Sequence, residues 1–159
     1  MLTTTIHYGL LIALAIALLI AAFTDLRSRT IHNKLNIAIA AGAPVFWWAS
    51  GLSLWPDVAM QLGVAVLAFA VLAGMFALRM MGGGDVKLLT ALALWIAPMA
   101  FLKLLVIMAI AGGVLTLVMG VHHILTRRKD KIQVPYGVAI AVGALWVLYP
   151  QLVTVPQFA

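Results

Sequence analysis

Cysteine is absent from the chain, and so is glutamate. The first absence excludes disulfides, thiolate metal sites and a cysteine nucleophile. The second leaves all carboxylate side chains of 159 residues to four aspartates: Asp25, Asp57, Asp85 and Asp130. Charge of either sign is scarce at 9%, whereas hydrophobic residues make up 65%. A soluble domain of this length has too little interior to hide so much apolar surface. The composition therefore specifies an integral membrane protein, expected to form one domain over residues 1–159. A net charge of +6 would suggest a nucleic-acid partner in a soluble chain. Here the Lys and Arg residues fall between apolar runs, as they do in cytoplasmic loops of membrane proteins, and no nucleic-acid partner is expected. Met1 to Thr5 carries no Lys or Arg and the following apolar run is too long for a cleavable signal.

The apolar runs predict an all-α, polytopic membrane protein with about six transmembrane helices. The first is Ile6 to Phe23, the second Leu35 to Trp48 with a Trp47-Trp48 pair suited to the interface, and the third Val58 to Leu78. A short segment from Leu88 to near Pro98 follows, then Ala100 to Val121 and Tyr136 to Leu148. The short fourth segment is a poor span by itself and could instead be re-entrant or continue through the glycines. Charge parity favours six spans. Arg27, Arg29 and Lys34 mark the first loop, Arg79 and Lys87 the third, and Arg127, Arg128, Lys129 and Lys131 the fifth. Six spans put all three on one side, cytoplasmic by the Lys/Arg bias, with both termini outside. Lys103 breaks the pattern and can snorkel from a helix start. No internal repeat is visible.

Asp25 and Asp85 stand where apolar runs meet basic loops, and Asp85 follows the run Gly82-Gly83-Gly84. An ionisable group at membrane depth is costly and by default signals function. Two at matching depth suggest a working pair: one carboxylate ionised to take a proton from water, the other protonated to polarise an amide carbonyl. Close carboxylates share a proton and titrate together. The glycines would allow φ > 0 or the close approach of another chain. Each acid has a plainer reading too. Asp85 fits a helix N-cap after a glycine turn, and Asp25 a solvated acid among arginines.

These residues match a family. Asp25, Arg29, Ile31 and Asn33 resemble the Asp-x-x-x-Arg-x-Ile-x-Asn segment of type IV prepilin peptidases. Gly82-x-Gly84-Asp85-x-Lys87-Leu88 is similar to their Gly-x-Gly-Asp motif with its Lys-Leu tail. Pro135-Tyr136-Gly137-Val138-Ala139 resembles the start of their last span, Pro-x-Gly-Pro-Ala, with Val138 in place of the commoner proline. The resemblance implies an intramembrane aspartyl peptidase in which Asp25 and Asp85 are catalytic, acting without a cofactor or metal in the bacterial inner membrane. Its partners would be the lipid bilayer and a prepilin or pseudopilin substrate with a basic leader peptide. About a dozen residues separate the first two spans, and the cytosolic insertion of the long, methylating members is missing. The chain thus looks like the short form of Flp/Tad-type systems, and methyltransferase activity is not expected.

Gly82, Gly84, Lys87, Arg29 and Asn33 are expected to support the pair, Arg29 and Asn33 by ordering the first loop. Their plainer roles are interfacial anchoring and positive-inside charge. His32 and the pair His122-His123 lack the carboxylate partners of a metal site and read as solvated or interfacial. Asp57, after Pro56, reads as a cap, Asp130 as solvated, and Met80-Met81 as packing. Two other functions fit a small membrane protein with buried acids. A cation-coupled transporter would place them near the midplane between repeated halves, and a non-catalytic subunit of a pilus or secretion assembly would need neither.

Overall fold

The computed structural model describes residues 2–126 and 134–153, so the basic stretch Arg127 to Lys131, with Asp130, lies outside the described residues. The described residues form six α-helices: α1 (Leu2–Ser28), α2 (Asn33–Ala49), α3 (Ala59–Ala77), α4 (Gly83–Ala93), α5 (Pro98–Leu125) and α6 (Tyr136–Val153). A wide turn over Leu54–Val58 leads into α3, where the Asp57 carboxylate accepts from the Ser53 backbone N–H at 3.0 Å and hydroxyl at 2.8 Å. Such an acid ties down the start of a helix. The helices α1, α5, α6 and the stretch Leu54–Ala77 are long and apolar enough to cross a membrane. The protein is thus multi-pass.

Helix α4 differs from these four. Its 11 residues rise roughly 16 Å, about half the hydrocarbon core. It lies at the centre, packed against α2, α3, α5 and α6, and is buried on nearly every side. Helix α1 packs on α2 and α6, α3 on α4, and α5 on α6. The outward faces of α3 and α5 keep Val66, Phe69, Val106 and Ile110 exposed, as lipid contact requires.

A helix that stops inside the apolar layer leaves carbonyls that water cannot reach. Neighbouring side chains satisfy them. Trp47 Nε1 donates to the Leu94 carbonyl at 2.7 Å and Gln61 Nε2 to that of Ile96 at 2.9 Å. Trp95, at the same end, donates to the Ile39 carbonyl at 2.8 Å and stacks on Phe46. Only half of the tryptophan pair behaves as expected for the interface: Trp48 is exposed, whereas Trp47 is turned to α4. The hairpin of α5 and α6 closes on small residues. A Cβ at Gly143 would stand 2.9 Å from the Leu104 carbonyl oxygen, the close backbone approach that glycine permits between membrane helices.

Candidate active site

Leu11, Leu14, Leu18 and Ala21 form the buried stripe of α1, and the same three-and-four spacing next reaches Asp25, 7% exposed. Helical periodicity therefore turns this acid inward. One turn later Arg29 takes a left-handed backbone, φ 56°, with its N–H bonded to the Asp25 carbonyl at 3.0 Å. The chain then turns through Ile31 into α2. Glycine normally fills such a position after a helix. Arg79, which follows α3, is likewise left-handed at φ 60°.

The Asp25 carboxylate faces the first turn of α6, whose N–H groups have no partner within the helix. Its Oδ2 accepts the Gly137 N–H at 2.8 Å. The fit leaves no room for a side chain: a Cβ on Gly137 would lie 2.9 Å from both Cβ and Oδ2 of Asp25.

Asp85 is the third residue of α4, and Gly82, in extended conformation, holds the N-cap position proposed above for the acid itself. The Gly82 N–H reaches back to the Asp85 carboxylate, the arrangement of one half of a capping box. Among the described glycines, Gly51 alone has positive φ, so the three glycines before Asp85 serve close approach. A Cβ at Gly82 would meet Asp85 Oδ2 at 2.9 Å, at Gly83 the Phe76 ring at 3.2 Å, and at Gly84 the Ile31 Cβ at 3.3 Å. From α2, the buried Asn36 donates to the Gly84 carbonyl at 3.4 Å.

Asp25 and Asp85 line one open cavity of about 840 Å³, together with Arg29, Arg79, Met81 and Tyr136. Asp85 lies in α4, outside the four long apolar helices. Burial and, after it, the charge of Asp25 push the Asp85 carboxyl up to about 6, against the Gly82 hydrogen bond. The charge of Asp25 therefore bears on Asp85, and a shared proton is the chemistry this allows. Lys87 and Asn33 do not line the cavity; they meet in a separate groove, where Lys87 Nζ donates to Asn33 Oδ1 at 2.9 Å. Met80 and Met81 both line the cavity, beyond the packing role read for them. Gly137 as the partner of Asp25, and Arg79 and Tyr136 as wall residues, were not singled out in the sequence. The glycine in Pro135-Tyr136-Gly137 was the available signal for the first. Among the described residues no three His, Cys, Asp or Glu side chains are grouped to hold a metal ion.

Compared with known families, residues 12–120 match the type IV leader peptidase family. The chain belongs to that family. The matched region holds both Asp25 and Asp85, and it ends before α6, which supplies the Gly137 N–H. No curated protein and no solved structure matched the chain.

Proposed function

We propose that this family member is an aspartic endopeptidase of the bacterial inner membrane that removes leader peptides from type IV, Flp-like prepilins. The observation that carries the reading is the pair itself: buried carboxylates from α1 and α4 line one cavity, and the charge of one is felt by the other. In the mechanism we infer, Asp25 is the ionised member, with Oδ2 held by the Gly137 N–H, and Asp85 carries the shared proton. Asp25 takes a proton from water as the hydroxide adds to the scissile carbonyl carbon. Asp85 donates a hydrogen bond to the carbonyl oxygen, where negative charge grows. When the tetrahedral intermediate collapses, the C–N bond breaks and the proton held by Asp25 passes to the leaving amine. The second product is the carboxylic acid of the leader, which then ionises by giving its proton to water.

The cavity opens beside the loop residues Arg29 and Arg79, which by the Lys/Arg bias face the cytoplasm, with both termini on the other side. A substrate whose basic leader remains in the cytoplasm and whose apolar segment lies in the bilayer would present its junction there. Co-expression with a leader-bearing pilin precursor tests the reading. The expected outcome is a faster-migrating product whose new N-terminus follows the leader; a precursor that keeps its full mass beside well-inserted protein counts against it.

A further inference from the structure

The groove that holds Lys87 and Asn33 has a volume of about 380 Å³ and runs between α2, α3 and α4. Its polar end lies at the first turns of α2 and α4, with Asn33, Asn36 and Lys87; along the helices it becomes apolar, walled by Ile37, Phe69 and Leu94. Helix α2 has no side-chain cap at this end, so its unpaired N–H groups and the positive end of its dipole accompany the ammonium. Lys87 bonds to a neutral amide oxygen and not to a carboxylate. The other described acids are held elsewhere: Asp25 at Gly137, Asp57 at Ser53 and Asp85 at Gly82. Asn36 is only 5% exposed, spends its N–H on Gly84, and leaves Oδ1 buried without a partner among the described residues. The groove thus offers positive charge to an anion, an acceptor in need of a donor, and an apolar slot continuous with both.

We propose that this groove binds a glycerophospholipid with an anionic phosphate and a hydroxyl-bearing headgroup. The phosphate meets Lys87, a headgroup hydroxyl donates toward Asn36 Oδ1, and an acyl chain lies along Ile37, Phe69 and Leu94. A free phosphate compound would leave the apolar half unused, and a choline headgroup has neither net negative charge nor a donor for the amide. Because Asn36 also holds the carbonyl before Asp85, the lipid would steady the backbone that carries that acid. The site is independent of the peptidase reading, and its test reads binding alone.

The test is a titration of the purified full chain, in detergent, with phosphatidylglycerol, phosphatidylcholine or glycerol phosphate, read by native mass spectrometry. Phosphatidylglycerol is expected to be retained, the other two not. Lys87→Gln and Ile37→Trp, which attack the charged and the apolar half separately, should each weaken retention by about tenfold, the scale of one lost charge-assisted bond or of a filled slot. Equal retention of phosphatidylcholine, or phosphatidylglycerol affinity unchanged in both variants, overturns the proposal. So does displacement of the lipid by a precursor peptide, which would make the groove a substrate site.

Discussion

A single methyl group at Gly137 should disable the site with both acids left in the sequence. Alanine there puts a carbon 2.9 Å from Cβ and Oδ2 of Asp25 and 3.0 Å from its Cγ, against about 3.5–4.0 Å for a comfortable carbon contact. Either α6 backs away or the carboxylate swings aside, and both lengthen the 2.8 Å bond from the Gly137 N–H. A hydrogen bond to a charged group contributes about 1.5–3 kcal/mol, and a misplacement near 1 Å at a reacting group costs on the order of 100-fold in rate. Gly137→Ala should therefore lower the rate of leader cleavage by about 100-fold, with folding retained. Gly113 is the control, because a Cβ there meets nothing within 4 Å, and Gly113→Ala should cleave normally. The assay follows precursor and product in isolated membranes at matched protein levels. Cleavage by Gly137→Ala within twofold of the parent would refute the positioning argument.

The pH response of Asp85 has a definite sign. Its carboxyl stands at about 6 in the folded protein against an ordinary 3.8, so the folded state binds the extra proton between those values and stability falls as pH rises through them. Asp85→Asn, which cannot ionise, should be more heat-stable than the parent at pH 8 by roughly 3 kcal/mol, with the gap closing near pH 4; a gap independent of pH would contradict the shift. Gln61→Leu removes the donor to the Ile96 carbonyl and should cost about 1–3 kcal/mol in thermal unfolding, the penalty of an unpaired buried acceptor, whereas no change would mean another group takes its place. At Gly84 the first added carbon meets Ile31 Cβ at 3.3 Å, so Val should reduce cleavage more than Ala; equal, near-full activity in both would show that Ile31 yields easily.

Much of this arrangement was legible in the sequence because few residues carry charge. With four acids in the whole chain, Asp25 and Asp85 were conspicuous at the edges of apolar runs, and the spacing from Leu11 to Asp25 marks the inward face of α1. The shortness of the segment after Lys87 was equally plain. What closes its inner end was not. Trp47 and Gln61 satisfy carbonyls about 35–47 positions away, and nothing local distinguishes such a donor from an interfacial tryptophan or a polar residue near a helix start. Backbone conformation at the helix ends was also invisible: φ > 0 and close approach were both allowed for at the glycines, but positive φ occurs at Arg29 and Arg79. Each closes the end of a helix with local backbone bonds where glycine is the usual residue. Lys87 and Asn33 sat in the right motif, yet Lys87 follows Asp85 by two residues, about 200° around the helix, and so projects from the opposite face into another groove.

The measurement that tests the central claim most directly is leader cleavage by the Asn variants of the two acids. Asn keeps the size and polarity of Asp and removes both the ionised base and the carboxyl proton. Asp25→Asn and Asp85→Asn should each abolish processing of a co-expressed precursor. The double variant should be no worse than either, because groups that act as one unit are not additive. Asp57→Asn, altered at an exposed turn, should process normally. Full processing by well-inserted Asp85→Asn would contradict the account.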